Sequence, residues 1–470
     1  MARDFWRSAC IALASGTWAA APAVAETPPN FLVIIADDCS YSELPRFGGK
    51  NVSTPQIDRL AEEGLLFRRA YVSMAMCVPC RAELYTGLYP CRSGVCWNHS
   101  SAKADTVSIV QHLGRLGYRT GIAGKIHARP RTVFPFERVD GFERNCVAET
   151  ARYDVSGIRA FMTRDRSRPF CLIVGLVVPH VPWTVGDPSV FDRKKLVLPP
   201  HFADTPETRE SFARYLAEIA YMDMQVGDIL KALKDAGQAD RTVVVFTSEQ
   251  GGQWPGGKWT NWEQGLRTAL IVRWPGRVKP GARTDALVQY ADVLPTLLDI
   301  AGGRPEALGF DGKSFLRVLT GGSDRHRQFA YAMHNNVPEG PAYPIRSVTD
   351  GRFRYIRNLT PEALYIEKHL MGRASHNPYW LSWMWASEAD PHACAMVRRY
   401  MRRPAEELYD TVADPFELEN LAADPAHAAR KAALAAELER WMAEQKDPGV
   451  PLDTREAFRR KRASGQGAQR

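Results

Sequence analysis

The sequence has no internal repeat and no low-complexity tract, which excludes solenoid, collagen-like and coiled-coil descriptions of the whole chain. It also lacks an unbroken apolar run of the about 20 residues that a membrane span needs. Charge of one sign is scarcely in excess: 61 Lys+Arg face 53 Asp+Glu, a formal net charge of +8 over 470 residues. So modest a positive field favours anionic partners without identifying them. With 45% hydrophobic residues the composition is that of a globular protein, so disorder is excluded for the chain as a whole. The length suits about three domains, or one large α/β domain with a small appendage.

What is present begins with an export signal. Arg3 and Arg7 precede a short apolar stretch from Cys10 to Ala14, and Ala23-Val24-Ala25 stands before Glu26. Cleavage after Ala25 is expected, leaving a soluble chain that is periplasmic or secreted. Of the nine cysteines, Cys10 leaves with this segment, while Cys39 and Cys171 lie in apolar runs and read as buried thiols. The pairs 77/80 and 91/96 also admit a zinc or redox reading from spacing alone.

The run Asn30–Ala36 (NFLVIIA) ends in Asp37-Asp38 and reads as a buried parallel strand with two carboxylates at its carboxyl end. On their own, those two residues are equally a helix cap or a turn. Thr54-Pro55 opens the helix QIDRLAEE, and TVSIVQHLGRL ends at Gly117 before the strand YRTGIAG. Further strands are Phe170–Val178, Thr242–Thr247 and Thr268–Val272, with a long helix over about Thr208 to Ala236. Alternation of strands and helices predicts a mostly parallel sheet covered on both faces. From about residue 325 short strands (IRSVTD, RFRYIRN), the segment EELYD and a terminal helix from about Pro425 to Glu444 predict a smaller α+β unit. Residues 451–470, with Arg459, Arg460, Lys461 and Arg462, read as a solvated basic tail.

Cys77-Val78-Pro79-Cys80-Arg81, followed by Thr86-Gly87-Leu88-Tyr89-Pro90, resembles the C-x-P-x-R signature of the type I sulfatases, in which the cysteine is oxidised to formylglycine. Cys80 departs from the family's usual small residue but leaves the pattern intact. Pro79 suits a first helical turn, so Cys77 is expected at a helix N-terminus, where free amides stabilise negative charge. Gly117-Tyr118-Arg119-Thr120, continuing to Gly124-Lys125-Ile126-His127, is similar to the second signature, G-Y-x-T-x-x-x-G-K-x-H. Pro179-His180-Val181-Pro182 resembles the family's P-H-x-P. Thr247-Ser248-Glu249-Gln250-Gly251 occupies the position of its S-D-H-G or S-D-N-G, with both side chains one methylene longer, and Gly257-Lys258-Trp259-Thr260 is similar to the segment of its second lysine.

The resemblance implies an alkaline-phosphatase-like α/β sandwich, a large mostly parallel sheet between helices, with a catalytic domain over 26–324 and a C-terminal α+β subdomain over 325–450. It implies one Ca2+ held by Asp37, Asp38, Glu249, Gln250 and the modified Cys77. Arg81, Lys125, Lys258, His127 and His180 would hold the dianionic end of the substrate, with His127 bonding the hydrated formylglycine and His180 donating a proton toward the leaving group or binding sulfate. Glu407-Leu408-Tyr409-Asp410 with Asp414-Pro415 and Glu419-Asn420-Leu421 is similar to the close of sulfatase C-terminal domains, most like the heparan N-sulfatase branch. The implied substrate is a sulfated sugar or glycan such as N-sulfoglucosamine. Implied partners are that carbohydrate and, during maturation, a formylglycine-generating enzyme, with no nucleic acid and no stable membrane insertion. Two rivals stand: a phosphodiester or phosphonate monoester hydrolase using the same site, and a noncatalytic glycan-binding protein. Tyr379, Trp380, Trp383 and Trp385 either stack on sugar rings or, as such clusters more often do, pack a seam between domains.

Overall fold

The computed structural model describes residues 28–372 and 377–466, so the expected export segment lies outside the described residues. Eight strands build the large sheet: β1 (Asn30–Ala36), β2 (Leu65–Tyr71), β3 (Arg119–Gly124), β4 (Glu137–Val139), β5 (Phe170–Gly175), β6 (Thr242–Ser248), β7 (Arg267–Arg273) and β8 (Ala282–Gln289). Their spatial order is β4-β3-β5-β1-β6-β7-β2-β8. Strands β1, β5 and β6 are buried along their whole length, which is why they read as continuous apolar runs rather than alternating ones. Every pairing is parallel except those of β7 with β6 and β2. The chain returns from β6 to β7 through a loop and the four-residue helix Glu263–Leu266, without the crossover helix that a parallel neighbour requires.

The helix Pro206–Asp235 begins where the Thr205 side chain accepts the Thr208 amide, and it buries Phe212, Tyr215, Leu216, Ile219 and Met222. Four further strands, β9 (Ala330–His334), β10 (Ile345–Thr349), β11 (Phe353–Asn358) and β12 (Glu406–Asp410), form an antiparallel sheet in the order β12-β11-β10-β9. Against it packs the helix Ala428–Glu444. Trp441 of that helix stacks on Tyr331 of β9 at 5.1 Å and meets Tyr89 edge-on at 5.6 Å, tying the small sheet to the segment that follows helix Cys77–Thr86.

The aromatic cluster is a seam. Tyr379, Trp380 and Trp383 are buried, the Trp383 indole donates to Thr208 Oγ1 at 2.7 Å, and Tyr379 packs on Trp254 at 4.5 Å, so only Trp385 reaches solvent. The segment read as a solvated tail is anchored instead. Asp453 accepts the amides of Asn336, Val337 and Tyr343, and helix Arg455–Gln466 docks Phe458 against Trp97. One buried aromatic and one buried carboxylate outweigh the run of exposed bases around them. Among the described residues no helix is long and apolar enough to cross a membrane.

Removing the Trp441 ring should be costly because it fills a junction of three elements. Trp441→Ala is expected to lower stability by about 3–5 kcal/mol. Urea denaturation followed by tryptophan fluorescence and circular dichroism measures this, and a loss below about 1 kcal/mol would contradict the junction.

Candidate active site

Strands β3, β5, β1 and β6 are consecutive and parallel, so their carboxyl ends open on one edge, where ligands of α/β sheets gather. Backbone pairing carries this alignment one step past the strands. The Lys125 amide donates to the Gly175 carbonyl (2.8 Å), that of Asp37 to Val178 (3.1 Å) and that of Glu249 to Ala36 (2.9 Å). Gly124 makes the exit from β3 possible: its φ is +74°, and a Cβ there would stand 2.1 Å from the Gly175 carbonyl oxygen. Onto the same edge comes the N-terminus of helix Cys77–Thr86, buried throughout and closed at its far end by left-handed Gly87.

The ligand atoms of Asp37, Asp38, Cys77 and Glu249 all lie within 4.8 Å of one another, and all four residues are buried. Each carboxylate has its own cation. Lys125 Nζ donates to both Asp37 oxygens (2.8 and 2.6 Å), Lys258 Nζ to Asp38 Oδ2 (2.7 Å), and Arg81 Nε to Glu249 Oε1. Arg81 also donates from Nη1 to the Lys125 carbonyl at 2.8 Å, so it braces Glu249 and the β3 exit, while its Nη2 is buried without a partner. His180 Nε2 lies 3.2 Å from Lys258 Nζ and 3.5 Å from Asp38 Oδ2. Gln250 Nε2 donates to Asp38 Oδ1 at 2.5 Å. The Cys80 thiol donates to the Glu249 carbonyl at 2.9 Å, which turns it away from a shared zinc site with Cys77.

Burial raises the Asp37 carboxyl, but the Lys125 charge, a Glu249 hydrogen bond and the His180 charge together outweigh it and hold the group down at about 2. Conversely, burial lowers Lys125, and Asp37, Cys77 and Glu249 more than reverse that. The two histidines diverge. Burial and then Lys125 drive His127 well below its ordinary range, whereas His180, lowered by burial and by Lys258, is raised on balance by Asp38, Asp37 and a Cys146 hydrogen bond acting together. Burial, then Glu249, raises the Cys77 thiol, so as cysteine it is a protonated, poor nucleophile. Two acceptors are left over: Glu249 Oε2 and Gln250 Oε1 are buried without a hydrogen-bond partner. Three carboxylates and an amide in one cluster, two of their oxygens orphaned, fit a hard divalent cation.

The sulfatase family model matches residues 29–303, more than half the chain, and the model for the C-terminal region of N-sulphoglucosamine sulphohydrolase matches residues 256–366. An ulvan-active sulfatase of Formosa agariphila is 31% identical, the match covering 91% of this chain and 83% of that one. The human N-sulphoglucosamine sulphohydrolase is 30% identical over 90% of this chain and 91% of its own. The chain belongs to the sulfatase family. Among solved structures, one described as a complex with its substrate D-glucosamine-2-N,6-O-disulfate aligns with a TM-score of 0.68 at 20% identity, covering 90% of this chain and 99% of that one. The phosphonate monoester hydrolase of Agrobacterium radiobacter aligns at 0.69 and 21% identity, covering 89% and 96%. At that distance the two share the alkaline-phosphatase-like fold. Sulfatases generally use a formylglycine and a metal ion.

In this sulfatase nine of the ten residues singled out from sequence meet at the sheet edge: Asp37, Asp38, Cys77 and Glu249 cluster, and Arg81, Lys125, His180, Gln250 and Lys258 each lie within 3.5 Å of that cluster. His127 stands two residues beyond Lys125 with a positive φ of 48°, its Nδ1 buried and unpartnered. Sequence reasoning missed Cys146, whose thiol shares a 4.8 Å cluster with Asp37 and His180. It also missed Asn98, whose Oδ1 accepts the Val78 amide at 3.4 Å. Neither carries a spacing signal. The backbone does mark the place: of six described non-glycine residues with positive φ, Asp38, His99, His127 and Trp259 all lie here.

The Cys80 contact makes two substitutions diverge. Cys80→Ser keeps a donor to the Glu249 carbonyl and should change stability by no more than about 0.5 kcal/mol. Cys80→Val strands that buried carbonyl and should cost about 1–3 kcal/mol. Thermal melts of both variants check this, and equal losses would contradict the bond.

Proposed function

We propose that this chain is a formylglycine-dependent, calcium-dependent sulfatase acting on sulfated sugars, with terminal N-sulfated glucosamine as the substrate class. One observation carries the reading: a hard-oxygen donor set, three paired cations and two histidines of opposite electrostatic bias meet in a single buried cluster in which the sulfur of Cys77 stands among the carboxylates. Oxidation of Cys77 exchanges that sulfur for oxygen, so that Asp37, Asp38, Glu249, Gln250 and residue 77 form the all-oxygen set that Ca2+ prefers. When present, formylglycine hydrate supplies a hydroxyl that attacks sulfur and a second whose deprotonation expels sulfate, and Ca2+ polarises a sulfuryl oxygen.

The chain's own groups do the rest. Lys125 and Lys258 bind sulfate oxygens, because the carboxylates that now occupy them are the ones a cation would claim. Arg81 holds Glu249 in position. His180 donates the proton toward the leaving oxygen or nitrogen, and His127 hydrogen-bonds the hydrated residue 77 and takes the proton on its collapse. The glucosamine assignment is supported by the match of residues 256–366 and by the human relative named above. The catalytic unit is residues 26–324 and the C-terminal unit 325–450, exported after loss of residues 1–25 and matured by a formylglycine-generating enzyme.

Mass spectrometry of the peptide containing Cys77 should find a residue lighter than cysteine, and an active preparation holding only the thiol would overturn the mechanism. Cys77→Ala should abolish turnover of aryl sulfate with an unchanged melt. Faster turnover of aryl phosphonates than of aryl sulfates would favour the rival hydrolase. Calcium at about a hundredfold over its Kd should stabilise the fold by about 2.7 kcal/mol, a gain read as a rise in Tm that Asp38→Asn should lose.

A further inference from the structure

Beside the cavity stands a second polar cluster that none of the sulfatase motifs includes. Its centre is Glu339, whose side chain is fully buried. Around it stand His369 (Nε2 to Oε2, 2.5 Å), Lys368 (3.2 Å), His99 (3.8 Å) and Asn98 (Nδ2 to Oε1, 3.3 Å). Burial raises the Glu339 carboxyl, but the His369 hydrogen bond, with the His369, Lys368 and His99 charges, holds it at about 2. The carboxylate therefore acts as a positioning residue for the bases. What faces solvent is basic: the side chains of Lys368 and His99 are 53% and 47% exposed. Arg129 is exposed too, acts electrostatically on His99, and makes no ion pair among the described residues.

This rim adjoins the reacting groups on two sides. Asn98 bridges Glu339 to the amide of Val78, next to Cys77. The His99 ring lies 5.8 Å from that of His127, and the His369 ring stacks at 5.6 Å on Trp259, whose other neighbour is Lys258 Nζ at 4.8 Å from the ring. His99 and Trp259 both hold positive φ, at 60° and 65°, a conformation such residues keep only where their surroundings fix it. A second buried carboxyl, Glu367, shares a 4.8 Å cluster with Glu339 and His369, but burial raises it to about 8, so with Arg129 and Lys368 as permanent cations against the Glu339 carboxylate the rim retains positive charge.

We infer that the rim of His99, Arg129, Lys368 and His369 is a specificity site for a second anionic group on the substrate, a sulfate or carboxylate borne by the glycan in addition to the sulfate being removed. The inference rests on the sulfatase reading of the cavity. Two sources share this chemistry: another sulfate on the same sugar ring, or the carboxylate of a neighbouring hexuronate.

Calorimetric titration of the calcium-loaded Cys77→Ala protein tests it with three probes: glucosamine N-sulfate, glucosamine N,6-O-disulfate, and N-sulfoglucosamine linked to a hexuronate. At least one doubly anionic probe should bind about tenfold tighter than the singly anionic one, and which of them does so identifies the source. The double variant Arg129→Gln/Lys368→Gln should erase that margin while weakening the singly anionic probe much less. Equal binding of all probes, no binding of any, a uniform loss in the variant, or a margin that survives it would each overturn the inference. Turnover of an aryl sulfate by the protein with Cys77 in place reports separately. A margin without turnover would sink the mechanism and leave the rim, and turnover without a margin would do the reverse.

Discussion

Three carboxylates crowded into a buried cavity could not stay ionised together without compensation, since desolvation alone costs each several kcal/mol. Here each is answered by one cation, Lys125 for Asp37, Lys258 for Asp38 and Arg81 for Glu249. The pairing is not equivalent in all three. Arg81 is fixed by a second bond to backbone, whereas the lysines end in compact ammonium groups on flexible stems. A divalent ion entering among the aspartates would take over their neutralisation and leave both ammonium groups facing the cavity, where a sulfate dianion is the natural replacement. On this balance of charge, occupancy by a metal would favour occupancy by an anion.

Placement of those groups depends on topology more than on local sequence. Only because β3, β5, β1 and β6 are neighbours and run the same way do residues as distant along the chain as Asp37 and Glu249 meet. The helix starting at Cys77 adds its unpaired amides at the same edge, favouring negative charge beside residue 77.

Much of this was legible in the sequence. Unbroken apolar runs marked the buried strands, and the motifs followed their ends, so the fold and the segments that gather at the sheet edge could be named beforehand. What escaped has physical reasons. The antiparallel course of β7 depends on a missing crossover helix, which periodicity within a strand does not register. β9 is short and went unmarked. The docking of Phe458 was hidden among arginines. Cys146, Asn98 and Glu339 come from loops whose position is set by tertiary contacts, and the bracing of Glu249 by Arg81 escaped because a motif gives residue type but not the direction of a guanidinium.

The return from β6 to β7 has a further meaning. Glu249, Gln250, Lys258 and Trp259 all ride on one segment clamped between two interior strands of the sheet. An insertion there would disturb the carboxylate cluster that Glu249 and Gln250 join, the Lys258 ion pair and the Trp259 stack on His369 at once. The small sheet and its outlying loops carry no such burden. Divergence toward new glycans therefore has a free region to work on and a forbidden one, and the boundary between them falls at Trp259.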